Sequence, residues 1–560
     1  METPDQMFRR VARDIASVNE RYGDRTDEEE EFFRAMRDLD FLPNSPTLMN
    51  AGTRIQQLSA CFVIPVDDSI ESIYDAVKHA AIVQQTGGGV GMSFSRLRPE
   101  GDEVGSTGGV ASGPISFMRV FDAATESIKQ GGRRRGANMG VLRIDHPDIE
   151  RFIRAKEDMV SFTNFNLSVA LTDEFMELAS KGDGYDLINP RTGQAVRRVP
   201  APYMLEKIAA SAWRSGDPGV LFIDTVNRYN PTPHLGPIEA TNPCGEVPLL
   251  PFEACNLGSV NLDRMVADGK VDWVKLASTV DLAVRFLDNV IDANRYPLPR
   301  TGEVVRGNRK IGLGVMGFAD LLASQGVRYG SPASMEVARR LIAFIMKEAD
   351  RTSRRIAESR GSFPNIDRSM VKGARRNATV LSIAPTGTIS LIAGCSSGIE
   401  PYYAISYART VMDGSRLEEV VPRFVSAARR AGIYSTVLMR KLASTGSVQG
   451  FDEVPSDIKD AFVTAHEVPP EQQIELQAIF QGQVDNAVSK TINLPADASW
   501  RDVLRAVVLA HARGCKGLTV YREGSKPGQV LTTIKDTRAC PSCGRFIRAE
   551  EGAMQCESCG

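Results

Sequence analysis

Short apolar runs alternate with amphipathic segments along most of the chain. The runs begin after Pro43 and are separated by glycine and turn residues: LSACFVIPV, TGGGVGMSFSRL, MGVLRI, NFNLSVAL, ACNLGSVNL, KIGLGVMGFADLL and TVLSIAPTGTISLIAG. Segments such as IYDAVKHAAIVQQ and FMRVFDAATESIKQ lie between them and carry apolar residues at spacings of three and four. Strands that alternate with helices predict an α/β core.

The same pattern predicts four parts of unequal size. Residues 1–40 have apolar positions at helical spacing and form a helical lead-in. Residues 41–525 hold the α/β core, which is long for one domain but suits a many-stranded barrel. Residues 526–539 have the polar, glycine-containing composition of a linker, and residues 540–560 form a separate cysteine module.

Composition narrows the class of protein. The net charge is -2, from 67 basic and 69 acidic residues, so we expect no general attraction to nucleic acid or to a membrane surface. No leader sequence and no apolar stretch of membrane-spanning length is visible. Nine cysteines are too few for a secreted disulfide scaffold of 560 residues. We therefore expect a cytoplasmic protein whose cysteines include working thiols.

The string TNPCGEVP places an amide, a thiol and a carboxylate within one proline-bounded loop, at Asn242, Cys244 and Glu246. The loop alone fits a structural turn as well as a functional site. Cys255 in ACNLGSVNL and Cys61 in LSACFVIPV supply two further thiols. A reaction in which one thiol carries a radical and two others donate electrons as a disulfide-forming pair needs three such cysteines.

These strings resemble those of ribonucleotide reductases, and the resemblance extends from Glu2 to about Lys526. It implies a ten-stranded α/β barrel made of two antiparallel, five-stranded half-barrels with a central finger loop. Cys244 at the tip would become a thiyl that removes the 3'-hydrogen of the ribose, with Glu246 as general base and Asn242 orienting the sugar hydroxyls.

The resemblance also implies that Cys61 and Cys255 provide two electrons while closing to a disulfide. Because a thiyl is readily quenched, we expect Cys244 to be buried in the barrel, away from solvent.

A second candidate site is the run APTGTIS. Its hydroxyls and its glycine suit a backbone anion-binding turn, although a plain strand-to-helix turn explains them equally well. The resemblance implies that this run grips the substrate phosphates with help from Thr47 and Ser59. The residues of the run assigned to this role are Pro385, Thr386, Gly387, Thr388, Ile389 and Ser390.

An arginine triplet among glycines, Arg133, Arg134 and Arg135, joins an amphipathic helix to the strand MGVLRI. A solvated turn is the ordinary interpretation of such a triplet. The resemblance implies instead a loop that senses a bound effector, a deoxynucleoside triphosphate or ATP, and controls substrate choice. Asp68 and Arg98 match positions that contact the effector's sugar and phosphates.

Two CxxCG knuckles end the sequence, at Cys540 with Cys543 and at Cys556 with Cys559. Paired knuckles predict a zinc site with four cysteine ligands. The resemblance offers a competing role in which tail thiols re-reduce the active-site disulfide; otherwise a thioredoxin-like partner does so.

The sequence lacks motifs that two kinds of radical source would require. None of the five histidines follows a glutamate by three residues, so an internal di-iron site of that kind is not predicted. Tyr521 stands alone where class I catalytic subunits carry adjacent tyrosines. The chain resembles class II, which implies adenosylcobalamin as cofactor, ribonucleoside diphosphates as substrates and a homodimer. The alternative is a class I-type large subunit that needs a separate radical-generating subunit.

Two other classes of function fit less well. A phosphotransferase or dehydrogenase would need a P-loop lysine or a dinucleotide fingerprint, and TGGGVG has neither. A zinc-ribbon protein that binds nucleic acid would be expected to be more basic.

Overall fold

The computed structural model describes the chain except for residues 1, 24–27, 105–107, 129–135, 411–415, 527–530, 533–537, 540–545, 551–552 and 557–560. The α-helices in the described part are α1 (Pro4–Ala16), α2 (Glu28–Arg37), α3 (Ser45–Asn50), α4 (Ile70–Gln85), α5 (Gly113–Ser127), α6 (Ile149–Ile153), α7 (Asp173–Lys181), α8 (Ala201–Ser215), α9 (Ile223–Arg228), α10 (Trp273–Ala293), α11 (Pro299–Asn308), α12 (Phe318–Ser324), α13 (Pro332–Arg360), α14 (Gly387–Ala393), α15 (Pro422–Arg430), α16 (Thr436–Thr445), α17 (Ser456–Ala461), α18 (Pro470–Gln481) and α19 (Trp500–Ala512). None of these helices is long and apolar enough to cross a membrane.

The strands in the described part are β1 (Phe41–Pro43), β2 (Cys61–Val63), β3 (Gly89–Ser93), β4 (Glu103–Val104), β5 (Gly109–Val110), β6 (Asn138–Arg143), β7 (Phe165–Leu171), β8 (Gly184–Ile188), β9 (Ala195–Pro200), β10 (Gly219–Phe222), β11 (Ala240–Thr241), β12 (Pro248–Leu249), β13 (Ala254–Asn261), β14 (Val266–Ala267), β15 (Lys270–Val271), β16 (Ile311–Met316), β17 (Ser406–Thr410), β18 (Arg416–Val420), β19 (Thr491–Leu494), β20 (Gly517–Arg522), β21 (Leu531–Thr532), β22 (Arg538–Ala539), β23 (Phe546–Glu550) and β24 (Ala553–Cys556).

The largest sheet contains ten of these strands and is mixed. Five of them, β2, β3, β6, β7 and β10, follow one another in parallel. Their residues are mostly buried, as expected of parallel strands that are covered on both faces. The predicted α/β core with a large sheet is confirmed.

The remaining strands join this parallel group at both ends through antiparallel pairs. At one end β20 pairs with β10, and β19 lies parallel to β20. At the other end β13 pairs with β2, and β16 lies parallel to β13. Beyond β16, isolated parallel bridges join Leu313 to Leu381 and Ile383 to Val488. Backbone pairing therefore continues from β16 towards the segment that enters β19.

Helices α1 and α2 contact α10, which packs against β13 of the sheet. Helix α1 begins with a capping box between Thr3 and Gln6. The Asn289 side chain on α10 donates to the Ile15 carbonyl at 3.2 Å. Arg309, which precedes β16, donates to the buried Asp288 carboxylate at 2.9 Å. These polar links are buried and hydrogen-bonded, so they fix how the N-terminal helices meet the sheet.

Candidate active site

Residues 240–249 form a hairpin, here called the finger, in which β11 pairs with β12. The Asn242 side-chain oxygen accepts from the Val247 amide at 3.0 Å, and the Asn242 carbonyl accepts from the Gly245 amide at 3.0 Å. Gly245 has φ +83°, which glycine adopts without strain. Cys244 thereby lies at the tip, flanked by the amide and the carboxylate that the sequence predicted beside it.

The finger lies against β3, and glycines make this approach possible. A Cβ at Gly91 would lie 1.7 Å from the Thr241 carbonyl oxygen, and one at Gly89 would lie 2.9 Å from Pro243 Cγ. The Asn166 side chain on β7 donates to the Pro243 carbonyl at 2.7 Å. The string TGGGVG, which carries no nucleotide-binding motif, therefore provides clearance for the finger.

Exposure differs among the three functional residues of the finger. Asn242 and Glu246 are buried, whereas Cys244 is exposed. The Glu246 backbone is held by two distant segments, because its carbonyl accepts from Ser382 Oγ at 2.8 Å and from the Ala487 amide at 2.9 Å. The expectation that Cys244 is buried is therefore wrong for this structure, since the tip of the finger faces open cavities.

One of these cavities, here called the front cavity, has a volume of about 180 Å³ and brings most of the predicted groups together. Its lining includes Asn242, Cys244, Glu246 and Cys61, and also residues 384–389. Of the predicted catalytic and substrate-binding residues, those that do not line this cavity are Thr47, Ser59, Cys255 and Ser390.

The run after Ala384 turns sharply into α14. Thr386 has φ +57°, in the left-handed region, and its hydroxyl accepts from the Gly398 amide at 2.8 Å. A Cβ at Gly387 would meet no atom within 4 Å, so the backbone there is open to the front cavity. The geometry leaves room for an anion next to exposed backbone N–H groups.

Thr47 and Ser59 are buried next to this region and are engaged internally. The Thr47 hydroxyl lies 3.0 Å from Asn44 Oδ1 and 3.1 Å from the Leu58 carbonyl. The Ser59 hydroxyl accepts from Asn294 Nδ2 at 2.7 Å. In this structure both residues support the wall of the cavity.

Cys61 and Cys255 occupy directly opposed positions on β2 and β13. Directly opposed residues on antiparallel strands have Cα atoms about 4.5–5.5 Å apart, a separation that a disulfide spans without strain. Both residues are buried, and burial raises the pKa of the Cys255 thiol. The structure thus brings the two cysteines into a register that allows a disulfide to form.

The predicted effector contacts are partly described. Asp68 Oδ2 and Arg98 Nε lie 2.8 Å apart, and the Arg98 amide donates to Asp68 Oδ1 at 3.0 Å. The predicted sensing residues Arg133, Arg134 and Arg135 lie outside the described residues.

The predicted zinc ligands cannot be located. Cys540, Cys543 and Cys559 also lie outside the described residues, and of Cys556 only the backbone, at the end of β24, is described.

Cys244 also lines a second cavity, of about 230 Å³, on the other side of the finger. Asp217 and Lys490 line the same cavity. An adjoining cavity of about 810 Å³, here called the large cavity, shares four residues with it. The shared residues are Gly216, Thr491, Thr519 and Lys526. Open space therefore extends from the Cys244 thiol across the ends of β19 and β20.

Tyr521 lines the large cavity together with Tyr403. Burial and the nearby Tyr521 raise the pKa of Tyr403 to about 12. Tyr521 therefore lies near another tyrosine, Tyr403, although no tyrosine is adjacent to it in the sequence. The single tyrosine at this point in the sequence does not by itself distinguish class II from class I.

The sequence matches known protein families, and the fold matches a known structure. Residues 59–375 and 366–521 match the family described as "Ribonucleotide reductase, barrel domain", and residues 1–56 match "Ribonucleotide reductase, all-alpha domain". The α subunit of the class Id ribonucleotide reductase of Actinobacillus ureae has a similar fold, with a TM-score of 0.77 and 21% identity, covering 92% of this chain and 93% of that one.

Two curated relatives are much closer in sequence. The "Vitamin B12-dependent ribonucleoside-diphosphate reductase" of Mycobacterium tuberculosis (strain CDC 1551 / Oshkosh) is 50% identical over 537 residues, which are 95% of this chain and 78% of the relative. The protein of the same description from Thermoplasma acidophilum is 50% identical over 508 residues, which are 90% of this chain and 66% of the relative.

A thiol held between an amide and a carboxylate, with an opposed cysteine pair nearby, is an arrangement that suits thiol-based redox chemistry. The chain belongs to the ribonucleotide reductase family, in its vitamin B12-dependent, class II group. The resemblance inferred from the sequence is thereby confirmed.

Proposed function

We propose that this chain reduces ribonucleoside diphosphates to 2'-deoxyribonucleoside diphosphates by means of a thiyl radical on Cys244. The observation that carries the proposal is the front cavity, which joins the finger residues, Cys61 and residues 384–389 around one space. A substrate with a ribose and a phosphate tail has counterparts for each of these groups.

The finger residues act on the ribose. Cys244 removes the 3'-hydrogen, since its thiol is the exposed group at the tip. Glu246 takes the proton of the 3'-hydroxyl, and Asn242 orients the hydroxyls through its side-chain amide. The Asn242 oxygen is already fixed by the Val247 amide, which leaves the amide NH₂ group as donor to the sugar.

Cys61 and Cys255 supply the reducing equivalents. Overall, the C2'–OH bond breaks and a C2'–H bond forms, water leaves, and the two thiols lose two hydrogen atoms as an S–S bond closes. Their opposed positions on neighbouring strands support this role. Cys61 lines the front cavity, so it is the member of the pair that faces the substrate.

Residues Pro385 to Ser390 grip the phosphates. The open backbone at Gly387 and the left-handed turn at Thr386 support this assignment. Thr47 and Ser59 contribute by holding the adjoining wall, through their bonds to Asn44 and Asn294.

The residues around the second and the large cavity fit a bulky cofactor such as adenosylcobalamin, because the space there is continuous and reaches the Cys244 thiol. When bound, the cofactor supplies the radical by homolysis of its cobalt–carbon bond. Thr491, Asn493 and Thr519 offer polar contacts to it, and Pro401 and Val420 offer apolar contacts. The exposed tip of the finger would then be covered, which meets the need to exclude solvent from a thiyl.

The finer features of the fold belong to the same proposal. The bridges beyond β16 support closure of the sheet into a ten-stranded barrel of two five-stranded halves, with the finger inside. The pairing of Asp68 with Arg98 supports an effector site that binds a deoxynucleoside triphosphate or ATP and controls specificity.

Three further parts of the proposal concern partners and metals. We infer a homodimer, a zinc site in the terminal cysteine module, and a thioredoxin-like reductant that reopens the disulfide. The thiol chemistry of the site suits a reducing compartment such as the cytoplasm.

Two cysteine variants test the proposal under anaerobic conditions with CDP, an effector, dithiothreitol and adenosylcobalamin. Cys244→Ala forms no product although CDP still binds, because no thiyl can form. Cys255→Ser starts the radical chemistry but fails at reduction, so it releases free cytosine in place of dCDP. Normal multiple turnover by either variant contradicts the assignment.

A further inference from the structure

A buried lysine stands beside the reducing cysteines. Cys61 is opposed to Cys255 across β2 and β13, and Asn256 pairs in parallel with Ile311 across β13 and β16. Lys310 precedes Ile311 as Cys255 precedes Asn256, so the same register brings Lys310 next to Cys255. Cys61 on β2, Cys255 on β13 and Lys310, the residue that precedes β16, therefore lie in one row, and Lys310 is among the charges that act on the Cys255 thiol.

The Lys310 side chain is only 2% exposed, and its Nζ lies 2.6 Å from Glu253 Oε2. The Glu253 carboxylate is well supplied with donors, since Asn308 Nδ2 reaches it at 2.6 Å and the Leu250 amide at 2.7 Å. Within the part of the chain that the structure describes, Glu253 is the one hydrogen-bond acceptor of Lys310 Nζ. An ammonium has three N–H donors, so this one keeps donors for a further negative group.

The charges around Cys255 act in opposite directions on its thiol. Burial raises the pKa of Cys255, Lys310 lowers it, and Glu253 and Glu246 raise it. Lys310 is the cation next to this sulfur, and both carboxylates oppose ionisation. When Glu246 takes a proton from the substrate, one of the two opposing charges disappears.

We propose that Lys310 is a positioning residue for the reducing pair, whose ammonium stabilises the negative charge that develops on the Cys255 sulfur when the disulfide opens or closes. The proposal rests on the proposed function of Cys61 and Cys255. It also gives the buried Lys310–Glu253 pair a role, since such pairs add little stability by themselves. Glu253 fixes the direction of the Lys310 ammonium through the contact at 2.6 Å.

Negative charge develops on the Cys255 sulfur when a dithiol reductant reopens the disulfide. A thiolate of the reductant attacks Cys61, because Cys61 lines the front cavity and Cys255 does not. A bond forms between the reductant and Cys61, and the S–S bond breaks with its electron pair left on Cys255. The second thiol of the reductant then closes the reductant's own disulfide and releases Cys61, while both protein sulfurs regain protons. A stabilised leaving thiolate makes the first displacement faster.

The test measures this displacement without turnover. The full chain carrying Cys244→Ser is oxidised, formation of the Cys61–Cys255 disulfide is verified by mass spectrometry, and its reduction by dithiothreitol is timed at fixed pH. In this background Lys310→Met slows reduction at least about fivefold, and Glu253→Gln accelerates it, since the ammonium then serves the sulfur alone. Both variants break the same ion pair, so a merely structural role predicts changes in the same direction.

A double variant guards against misfolding. Lys310→Met with Glu253→Gln leaves no unpaired buried charge, so it is expected to fold even where a single variant does not. Its disulfide is reduced more slowly than that of the parent, because no cation remains beside Cys255. A double variant that matches the parent, or two single variants that change in the same direction, overturns the role of Lys310. If no Cys61–Cys255 disulfide forms on oxidation, it is the proposed function of the pair that fails.

Discussion

Gly91→Ala tests whether the position of the finger controls the reaction. The added Cβ would lie 1.7 Å from the Thr241 carbonyl oxygen and 2.7 Å from its carbonyl carbon. Contacts of a Cβ below 3.0 Å do not occur in practice, so the finger or β3 must shift by about 1.3 Å. Both partners are backbone, which cannot turn away as a flexible side chain can.

A displacement of about 1 Å in a reacting group costs on the order of 100-fold in rate. We therefore expect kcat for CDP reduction to fall about 100-fold or more, equivalent to about 2.7 kcal/mol in the activation barrier. The KM for CDP should change much less, because Pro385 to Ser390, which we propose to grip the phosphates, belong to a different segment.

Gly89→Ala is the matched control on the same strand. Its Cβ would approach Pro243 Cγ at 2.9 Å, so a shift of about 0.1 Å relieves the contact and the loss of rate should be severalfold at most. Thermal unfolding of both variants separates a displaced finger from a damaged fold. Turnover by a folded Gly91→Ala protein within twofold of the parent refutes the argument that finger position limits the rate.

Two other predictions concern the fold and the tail. Burial lowers the pKa of Lys516 to about 8, so the folded state loses this proton at lower pH than the unfolded state does. The free energy of unfolding contributed by Lys516 therefore rises with pH between about 8 and the ordinary lysine pKa. Urea unfolding across that pH range should give a steeper rise of the free energy of unfolding for the parent than for Lys516→Met. Parallel pH dependence of the two proteins would contradict the lowered pKa of Lys516. Protein purified without chelators should contain about one zinc per chain, lost when Cys540 and Cys543 are replaced by serine; a chain without zinc favours tail cysteines that shuttle electrons.

The sequence predicted most of the finger because its residues are contiguous. Asn242, Cys244 and Glu246 lie within five positions, and one loop necessarily keeps them together. Pairing of Cys61 with Cys255 needed the resemblance, since 194 positions separate them along the chain. The alternation of apolar runs and amphipathic segments indicated the α/β class, because parallel strands are buried on both faces.

Other features could not be predicted because they depend on backbone contacts between distant segments. Gly91 has a role only because Thr241 crosses it, and nothing in TGGGVG indicates a crossing. Lys310 looks like an ordinary lysine before a strand until the register places it beside Cys255. No tyrosine is adjacent to Tyr521 in the sequence, yet Tyr403 lies near it in the large cavity. Cys244 is exposed because cavities lie on both sides of the finger tip, and the residues of TNPCGEVP do not indicate those cavities.

We propose that this chain reduces ribonucleotides with a radical drawn from adenosylcobalamin. The most direct measurement is formation of dCDP from CDP, under anaerobic conditions with effector and dithiothreitol, with and without adenosylcobalamin and with no second protein. We expect dCDP only when the cofactor is present, and none from Cys244→Ala under the same conditions. Formation of dCDP that ignores adenosylcobalamin and appears only when a separate radical-generating subunit is added would contradict the account.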